Sequence, residues 1–375
     1  RSICNYLEDE EILEEDRKTY TKKLFDNANV FGMTCTSRNY FSEASMDALR
    51  EYNLGNIDIK NVGIDVVIID EVSKSSFLDL LIPILYGKTV ILVGDHRQLP
   101  PMYDLKHLRK DDFECLDPEI IDFSINKEYQ KLYETCYFKE LFEAVPDSYK
   151  IMLNKQYRCH SDIMDVFNHF YNTNGGGLSV GLSNQNDFKQ HNLLIKNKNM
   201  TIIEPQKHIY FINCDKCESK KDVDSSSIIN EQEADVVCKL LEMIDKQYGI
   251  MIENGEISNN GRKDERKSVG VICTYGDQAG EIKKRVKRNR FNNISNKKEE
   301  KLVISTVDDF QGDERDIIIV SMVRNPQGTR YSTAFIDQFE RINVALSRAR
   351  CLLVVVGAQD FLSKSSIDLP DINGR

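Results

Sequence analysis

Six short runs of β-branched and other apolar residues limit what this chain can fold into. They are Val66 to Ile69, Thr89 to Val93, Val269 to Cys273, Leu302 to Ser305, Ile317 to Val320 and Leu352 to Val356. Unbroken apolar strands of this kind are buried on both faces, as in parallel sheets covered by helices. Between them lie helical patterns, at Glu231 to Ile244 and at Phe339 to Arg350. Strand and helix in alternation predict an α/β, doubly wound fold. In such sheets, function gathers beyond the C-terminal ends of the strands.

A length of 375 residues suggests two domains. Residues 103–150 lack the strand pattern and read as helices and loops. A boundary near 150 follows, giving domains of 1–150 and 151–375. Gly175 to Gly177 reads as a loop, and 214–228 and 253–267 read as charged, exposed or mobile segments. No run of about 18 apolar residues exists, so no membrane span is expected. The N-terminus is acidic, unlike a signal peptide, and begins with Arg1, not Met. The chain is therefore expected to be a piece of a longer protein, or processed.

Ten cysteines without framework spacing point to a reduced, cytoplasmic compartment. Cys214 and Cys217 form the one tight pair, and no second pair or His pair follows at zinc-ligand spacing. A net charge of −10 argues against a generally basic nucleic-acid coat, but not against a local groove. One basic patch stands out. Lys283, Lys284, Arg285, Lys287, Arg288 and Arg290 surround Ile282 and Val286, which are spaced as on one face of a helix. It reads equally as a solvated face and as a phosphate-binding face.

The triplet Gly87-Lys88-Thr89 imitates the end of a phosphate-binding loop. Such a loop needs a second glycine five residues earlier, after a strand and before a helix. Ile82 stands there instead, and the triplet precedes a strand. It is rejected as a phosphate loop, and no other stretch fits. Asp70-Glu71, by contrast, follows the run Val66 to Ile69. A carboxylate there can help to hold Mg²⁺, and its neighbour can polarise an attacking water. A metal-nuclease pattern fails on spacing, because Lys74 is one residue too far from Glu71. Gly94 to Pro101, GDHRQLPP, lies just past another strand: Gly94 permits a sharp turn and the prolines stiffen the exit.

Three further stretches complete the set. Gln156 to His160, QYRCH, places an aromatic ring beside a guanidinium, or simply opens a polar helix. Thr306 to Asp316 joins two buried strands through a polar loop. Arg341 to Arg350 reads as one helix with Arg341 and Arg348 on a shared face.

Together and in this order, these stretches resemble the motifs of superfamily 1 helicases, in the branch that contains the nonsense-mediated-decay RNA helicase. Asp70-Glu71 is similar to motif II, Gly94 to Pro101 to motif III, Gln156 to His160 to motif IV. Thr306 to Asp316 is similar to motif V, and Arg341 to Arg350 to motif VI. Val30 to Thr36, Asn230 to Ala234 and Val269 to Gln278 also match that branch, so the resemblance covers residues 28–358. It implies a P-loop NTPase helicase fold: two RecA-like domains, the first incomplete here, with ATP and Mg²⁺ between them and movement on single-stranded DNA or RNA. It implies that Asp70 contacts Mg²⁺, Glu71 activates water, Gln98 senses the γ-phosphate, and Arg158 and Arg348 act as arginine fingers. Tyr157 would stack near the adenine, Glu314 would approach the ribose, Gly312 would let backbone come close, and Gln156 would join them in binding the cofactor. Thr34, Thr36, Ser305 and Thr306 would contact the nucleic-acid backbone.

Some positions depart from the family pattern. Val72-Ser73-Lys74 follows motif II unusually, Ser347 replaces a common Thr, and Cys159 a common Met. More important, motif I is missing and is expected upstream of residue 1. The chain alone is therefore expected to hydrolyse ATP poorly or not at all. The alternative is a degenerate helicase serving as a nucleic-acid or protein scaffold. Against it, Asp70, Glu71, Gln98, Arg158 and Arg348 are all in place.

Overall fold

The computed structural model describes residues 29, 30, 32, 34, 35, 64–101, 136–172, 176–221, 227–258, 265–288, 291–294, 302–325 and 338–364. They fall into two compact units. One holds the described residues up to His96 together with Pro100–Pro146, and the other holds Arg97–Leu99 and the residues from Asp147 onward.

The first unit is built on two parallel strands, β1 (Ile64–Ile69) and β2 (Gly87–Leu92), with helix α1 (Phe77–Tyr86) as the crossover. A capping box starts α1: the Ser76 hydroxyl accepts from the Asp79 amide at 3.3 Å, and the Asp79 carboxylate accepts from the Ser76 amide at 3.2 Å. Helix α2 (Tyr137–Ala144) adds Phe138 to a small core of Ile69, Val72 and Leu80. The Gly-Lys-Thr triplet is the start of β2 itself. A Cβ on Gly87 would stand 2.9 Å from a Val67 methyl, and Lys88 pairs with Asp65 at 2.7 Å.

One expectation fails here. β1 and β2 are not buried on both faces: Ile68 is 66% exposed, Val66 49% and Ile91 45%. Alternate side chains of a strand point to opposite faces. The face carrying Val67, Ile69, Val90 and Leu92 packs into the core, and among the described residues nothing buries Val66, Ile68 and Ile91 on the other face.

The second unit opens with a short parallel pair, β3 (Lys155–Gln156) and β4 (Ser179–Val180), around helix α3 (Ser161–Asn168). The main sheet follows. In chain order it takes β5 (Ile209–Asn213), α4 (Glu231–Glu253), β6 (Val269–Cys273), α5 (Gly276–Arg288), β7 (Leu302–Thr306), β8 (Arg315–Ser321), α6 (Phe339–Leu346) and β9 (Ala349–Gly357), and α7 (Gln359–Lys364) ends the described chain. The five strands are ordered β7-β6-β8-β9-β5, and every pairing is parallel.

Strand parity sorts the core into two layers. Val269, Val271, Ile317, Ile319, Leu352 and Val354 point to one face, where α4 adds Val237, Leu241 and Ile244 and α5 adds Ile282. Ile272, Ile318, Val320 and Leu353 point to the other, against Ile163 and Phe167 of α3 and Val344 of α6. Gly270 faces that second layer because nothing larger fits. A Cβ there would lie 2.6 Å from Ile318 and 2.7 Å from the Phe310 ring.

Two sequence expectations need correction. The helix at 339–350 ends at Leu346; Arg350 lies in β9, so Arg341 and Arg348 do not share a helical face. The segment 214–228 is not simply exposed, for Cys214 is buried at the end of β5. Cys214 and Cys217 form a turn whose carbonyls receive the buried side chain of Asn325 at 3.3 and 2.8 Å. That turn gives the tight cysteine pair a structural use.

Candidate functional site

In the first unit, parallel pairing brings two strand ends together. Asp70 and Glu71 leave β1, and Gly94 and Asp95 follow β2. The Val93 amide donates to the Ile69 carbonyl at 2.8 Å, and the Val72 amide to the Val93 carbonyl at 3.1 Å. The glycine is required by close approach. A Cβ on Gly94 would meet Val72 at 2.7 Å, the Ser73 amide at 3.1 Å and Phe138 at 3.2 Å. Both carboxylate residues are exposed, and the Asp70 carboxylate accepts from the Glu71 amide at 2.9 Å. Glu71 itself sits in the left-handed region, φ 55° and ψ 32°, a conformation that costs a non-glycine residue about 1 kcal/mol or more. Such strain persists where surrounding structure fixes it, commonly at functional sites.

In the second unit, two arginines hold the site together. Arg348 is 2% exposed. Its guanidinium donates to the Val344 carbonyl (3.1 Å), the Ser347 hydroxyl (3.1 Å) and the Gln98 side-chain oxygen (3.1 Å). The segment carrying Gln98 is anchored on both sides. Asn343 donates to the Arg97 carbonyl at 2.8 Å, Arg97 donates to the Phe170 carbonyl, and Leu99 is buried in the second core layer.

Arg158 is more open. Its Nε lies 2.6 Å from a Glu314 carboxylate oxygen, and the other oxygen of Glu314 is 3.3 Å from Arg350. Arg350 also reaches Asp316 at 3.1 Å. Both oxygens of Glu314 are thus engaged by guanidinium groups. Gln156 is spent on the loop itself: its side-chain oxygen accepts from the amides of Arg158 (2.9 Å) and Cys159 (3.0 Å), and its amide donates to the Cys159 carbonyl. Tyr157 is half exposed, its ring over Gly181, where a Cβ would be 2.3 Å away. Gly312 has φ 83° with open space at its Cβ position, so the conformation, not crowding, calls for glycine. The Thr306 hydroxyl donates to Asp309 at 2.9 Å, and that of Ser305 to the Thr306 carbonyl at 3.3 Å. Thr34 is exposed; Thr36 lies outside the described residues.

The sequence reading did not single out Arg350, Asn343 or Glu233 as site residues. Glu233 is wholly buried in α4 and accepts from the Ser321 hydroxyl at 2.7 Å and the Val323 amide at 2.9 Å. It holds the exit of β8, where Val323 has a φ of 66°, rare for a β-branched residue. Burial raises its carboxyl to about 7.

Behind Arg158 lies a histidine cluster. His160 caps α3, stacks on His208 at 3.5 Å, and His208 meets His191 edge-on at 5.3 Å. Burial drives His191 down to about 4 and also lowers His160. The unfolded chain, with imidazoles near 6.5, then takes up protons more readily than the folded one. Stability is present at neutral pH and lost as pH falls from about 6.5 to about 4, by an order of 3 kcal/mol for His191. The urea midpoint is therefore expected to drop between pH 7 and pH 4.5, and less steeply in His191→Gln. Equal pH profiles for the two proteins would refute the assignment.

A family profile described as an AAA domain matches residues 133–360, more than half of the chain, and a second with the same description matches residues 8–105. Three curated relatives are similar along most of the chain. The DNA replication ATP-dependent helicase/nuclease JHS1 of Arabidopsis thaliana is 28% identical over 307 residues, covering 80% of this chain and 19% of that protein. Helicase SEN1 of Saccharomyces cerevisiae is 28% identical, covering 81% and 11%. Regulator of nonsense transcripts 1 of Dictyostelium discoideum is 27% identical, covering 80% and 19%.

The chain belongs to the superfamily 1 helicases. Within that family its relatives mark the branch of Sen1 and the regulator of nonsense transcripts. The five-stranded parallel sheet, with helices on both faces, is RecA-like. The chain spans 11% to 19% of the length of these three relatives. No described helix is long and apolar enough to cross a membrane.

Proposed function

We propose that the chain forms most of the motor core of an ATP-dependent helicase acting on single-stranded DNA or RNA. Residues 1–150 would be a partial first RecA-like domain and 151–375 the second. The observation that carries this reading is the pairing of guanidinium groups with two other motif residues: Arg348 with Gln98, and Arg158 with Glu314. Arginines held at strand ends suit the charge that develops when a phosphoryl group is transferred.

The donor set fits a hard cation. Asp70 offers an exposed carboxylate at a strand end and would hold Mg²⁺, which neutralises charge on phosphate oxygens when bound. Glu71 would orient and deprotonate the attacking water, its unusual backbone directing its side chain. Gln98 would report the γ-phosphate, with Arg348 fixing its oxygen. Tyr157 would cover the base, and a ribose hydroxyl would share Glu314 with the two arginines. Gly312 would let backbone come close in the cofactor site, and Thr34, Thr36, Ser305 and Thr306 would line the path of the nucleic-acid backbone.

The 375 residues contain no phosphate-binding loop, so this chain alone is expected to hydrolyse ATP poorly or not at all. The whole protein is expected to show turnover stimulated by single strands. Steady-state phosphate release from both tests this. Rapid turnover by the chain alone would refute its inactivity. A whole protein with no stimulated turnover would refute the motor reading and favour a binding scaffold.

A further inference from the structure

We infer that the outer face of α5 is a second docking surface for single-stranded nucleic acid, separate from the loops that carry the helicase motifs. The inference rests on the nucleic-acid reading above and names a contact that reading does not contain.

Helix α5 divides its basic residues into two groups. Ile282 is buried and Val286 half-buried, which sets the inward side. Arg285 is consumed at the edge of that side. It pairs with Glu281 at 2.8 Å and with Asp235, and donates to the Glu231 carbonyl at 2.9 Å. Lys283, Lys284, Lys287 and Arg288 are exposed instead, and among the described residues none forms a close ion pair, although Glu281 feels the charge of Lys284 and Arg288. The nearby acids are already taken: Asp235 and Glu281 by Arg285, and Glu242 by Lys239 at 3.2 Å.

The four exposed cations form two rungs, Lys283 with Lys287 and Lys284 with Arg288. Residues four apart on a helix are neighbours about 5–6 Å apart. Toward the helix start the same face is uncrowded, for a Cβ built on Gly276 or Gly280 would meet nothing within 4 Å. An uncrowded approach leading to a regular cation ladder suits a long polymer with evenly repeated charge.

The rest of the chain sharpens the choice of partner. With a net charge of −10, it repels polyanions overall. Four exposed cations close together on one helix also repel one another, and a phosphate backbone would relieve that repulsion. Evenly spaced phosphates fit the ladder better than the irregular carboxylates of an acidic peptide.

The test compares three chains: the wild type; a ladder variant carrying Lys283→Gln, Lys284→Gln, Lys287→Gln and Arg288→Gln; and a control carrying Lys196→Gln, Lys198→Gln, Lys207→Gln and Lys246→Gln, also exposed and equal in charge change. Fluorescence anisotropy reads binding to labelled oligo-dT and oligo-U across a salt series, and to labelled polyglutamate. Melting curves check that both variants fold. The ladder variant is expected to bind single strands about 10-fold more weakly or worse. Its dependence of log K on log salt should be shallower by about 3, from four lost phosphate contacts. The control should stay near wild type.

Equal loss in the control would overturn the inference, since net charge alone would explain it. A folded ladder variant with unchanged affinity and slope would overturn it while leaving the motor reading intact. Loss confined to polyglutamate would overturn it in favour of an acidic peptide. A wild type that binds no single strand would overturn both.

Discussion

Replacing Arg158 with Ala in the whole protein is expected to lower ATP turnover about 10³-fold or more while leaving the fold nearly as stable as before. The turnover loss follows from its proposed role as an arginine finger, which neutralises charge on the transferring phosphoryl group. The small stability loss follows from its surroundings. Its main partner is Glu314, and both side chains are more than a third exposed. A solvent-exposed ion pair is worth about 1 kcal/mol or less. Arg158→Lys should rescue little, because an ammonium cannot reproduce the planar fork of a guanidinium. Steady-state turnover at saturating single strand, measured beside thermal melting, separates the two effects. Turnover within a few-fold of wild type would remove Arg158 from the catalytic set. Arg348 is a poorer probe. It is buried, and its loss would remove the hydrogen bonds it donates to Gln98, the Val344 carbonyl and the Ser347 hydroxyl, so stability and turnover would fall together.

Phe310→Ala is expected to give the largest loss of stability among single changes in the loop between β7 and β8. Phe310 is 1% exposed, and its ring fills the space left by Gly270. It also lies beneath the Arg315 guanidinium at 6.0 Å. Truncating a buried phenylalanine removes its transfer energy and leaves a cavity, for a cost of about 3–5 kcal/mol. For a unit of this size that corresponds to a fall of about 6–20 °C in melting temperature. Calorimetry would read it directly. The loop it anchors carries Gly312 and Glu314, so Arg158 should also lose its partner geometry. A loss below about 1 kcal/mol would show that the loop is held by its backbone turns instead.

The central strands were legible because they are buried on both faces. Val269 to Cys273 is wholly buried, and it was found as a plain apolar run. β5 was missed for the opposite reason. It lies at the sheet edge, and its residues alternate between half-buried and exposed, so IYFIN gives a weak signal. β1 and β2 were found as strands but assigned the wrong surroundings. An apolar run states how a strand pairs more reliably than what covers it. The helix at Phe339 was overextended because Ser347 to Arg350 contains no Gly or Pro to stop it. Its end is tertiary: Ala349 joins the ladder opposite Arg315, and the strand takes the residues that local propensity would give to the helix.

Within the candidate site, Asp70, Glu71, Gln98, Arg158 and Arg348 stood out through motif order. The roles of Arg350 and Asn343 did not. Each acts through contacts between residues far apart in the chain, Arg350 on Glu314 and Asn343 on the Arg97 carbonyl. Neither has a local pattern to read. Glu233 is similar: only the fold shows that its carboxylate reaches Ser321 and Val323.

The order of the main sheet also governs how the protein is made. β5 is the first of its strands to be synthesised, yet among the described residues its only sheet partner is β9, the last. Leu353 must arrive before Ile209 has a partner in the ladder. At ordinary rates of translation the interval is roughly ten seconds or more. During it, the nascent chain carries an unpaired strand edge with Ile209 and Phe211, a template for mispairing with other chains. A ribosome-bound chaperone, or slow release of the chain, would protect yield more than any stabilising change in the finished sheet.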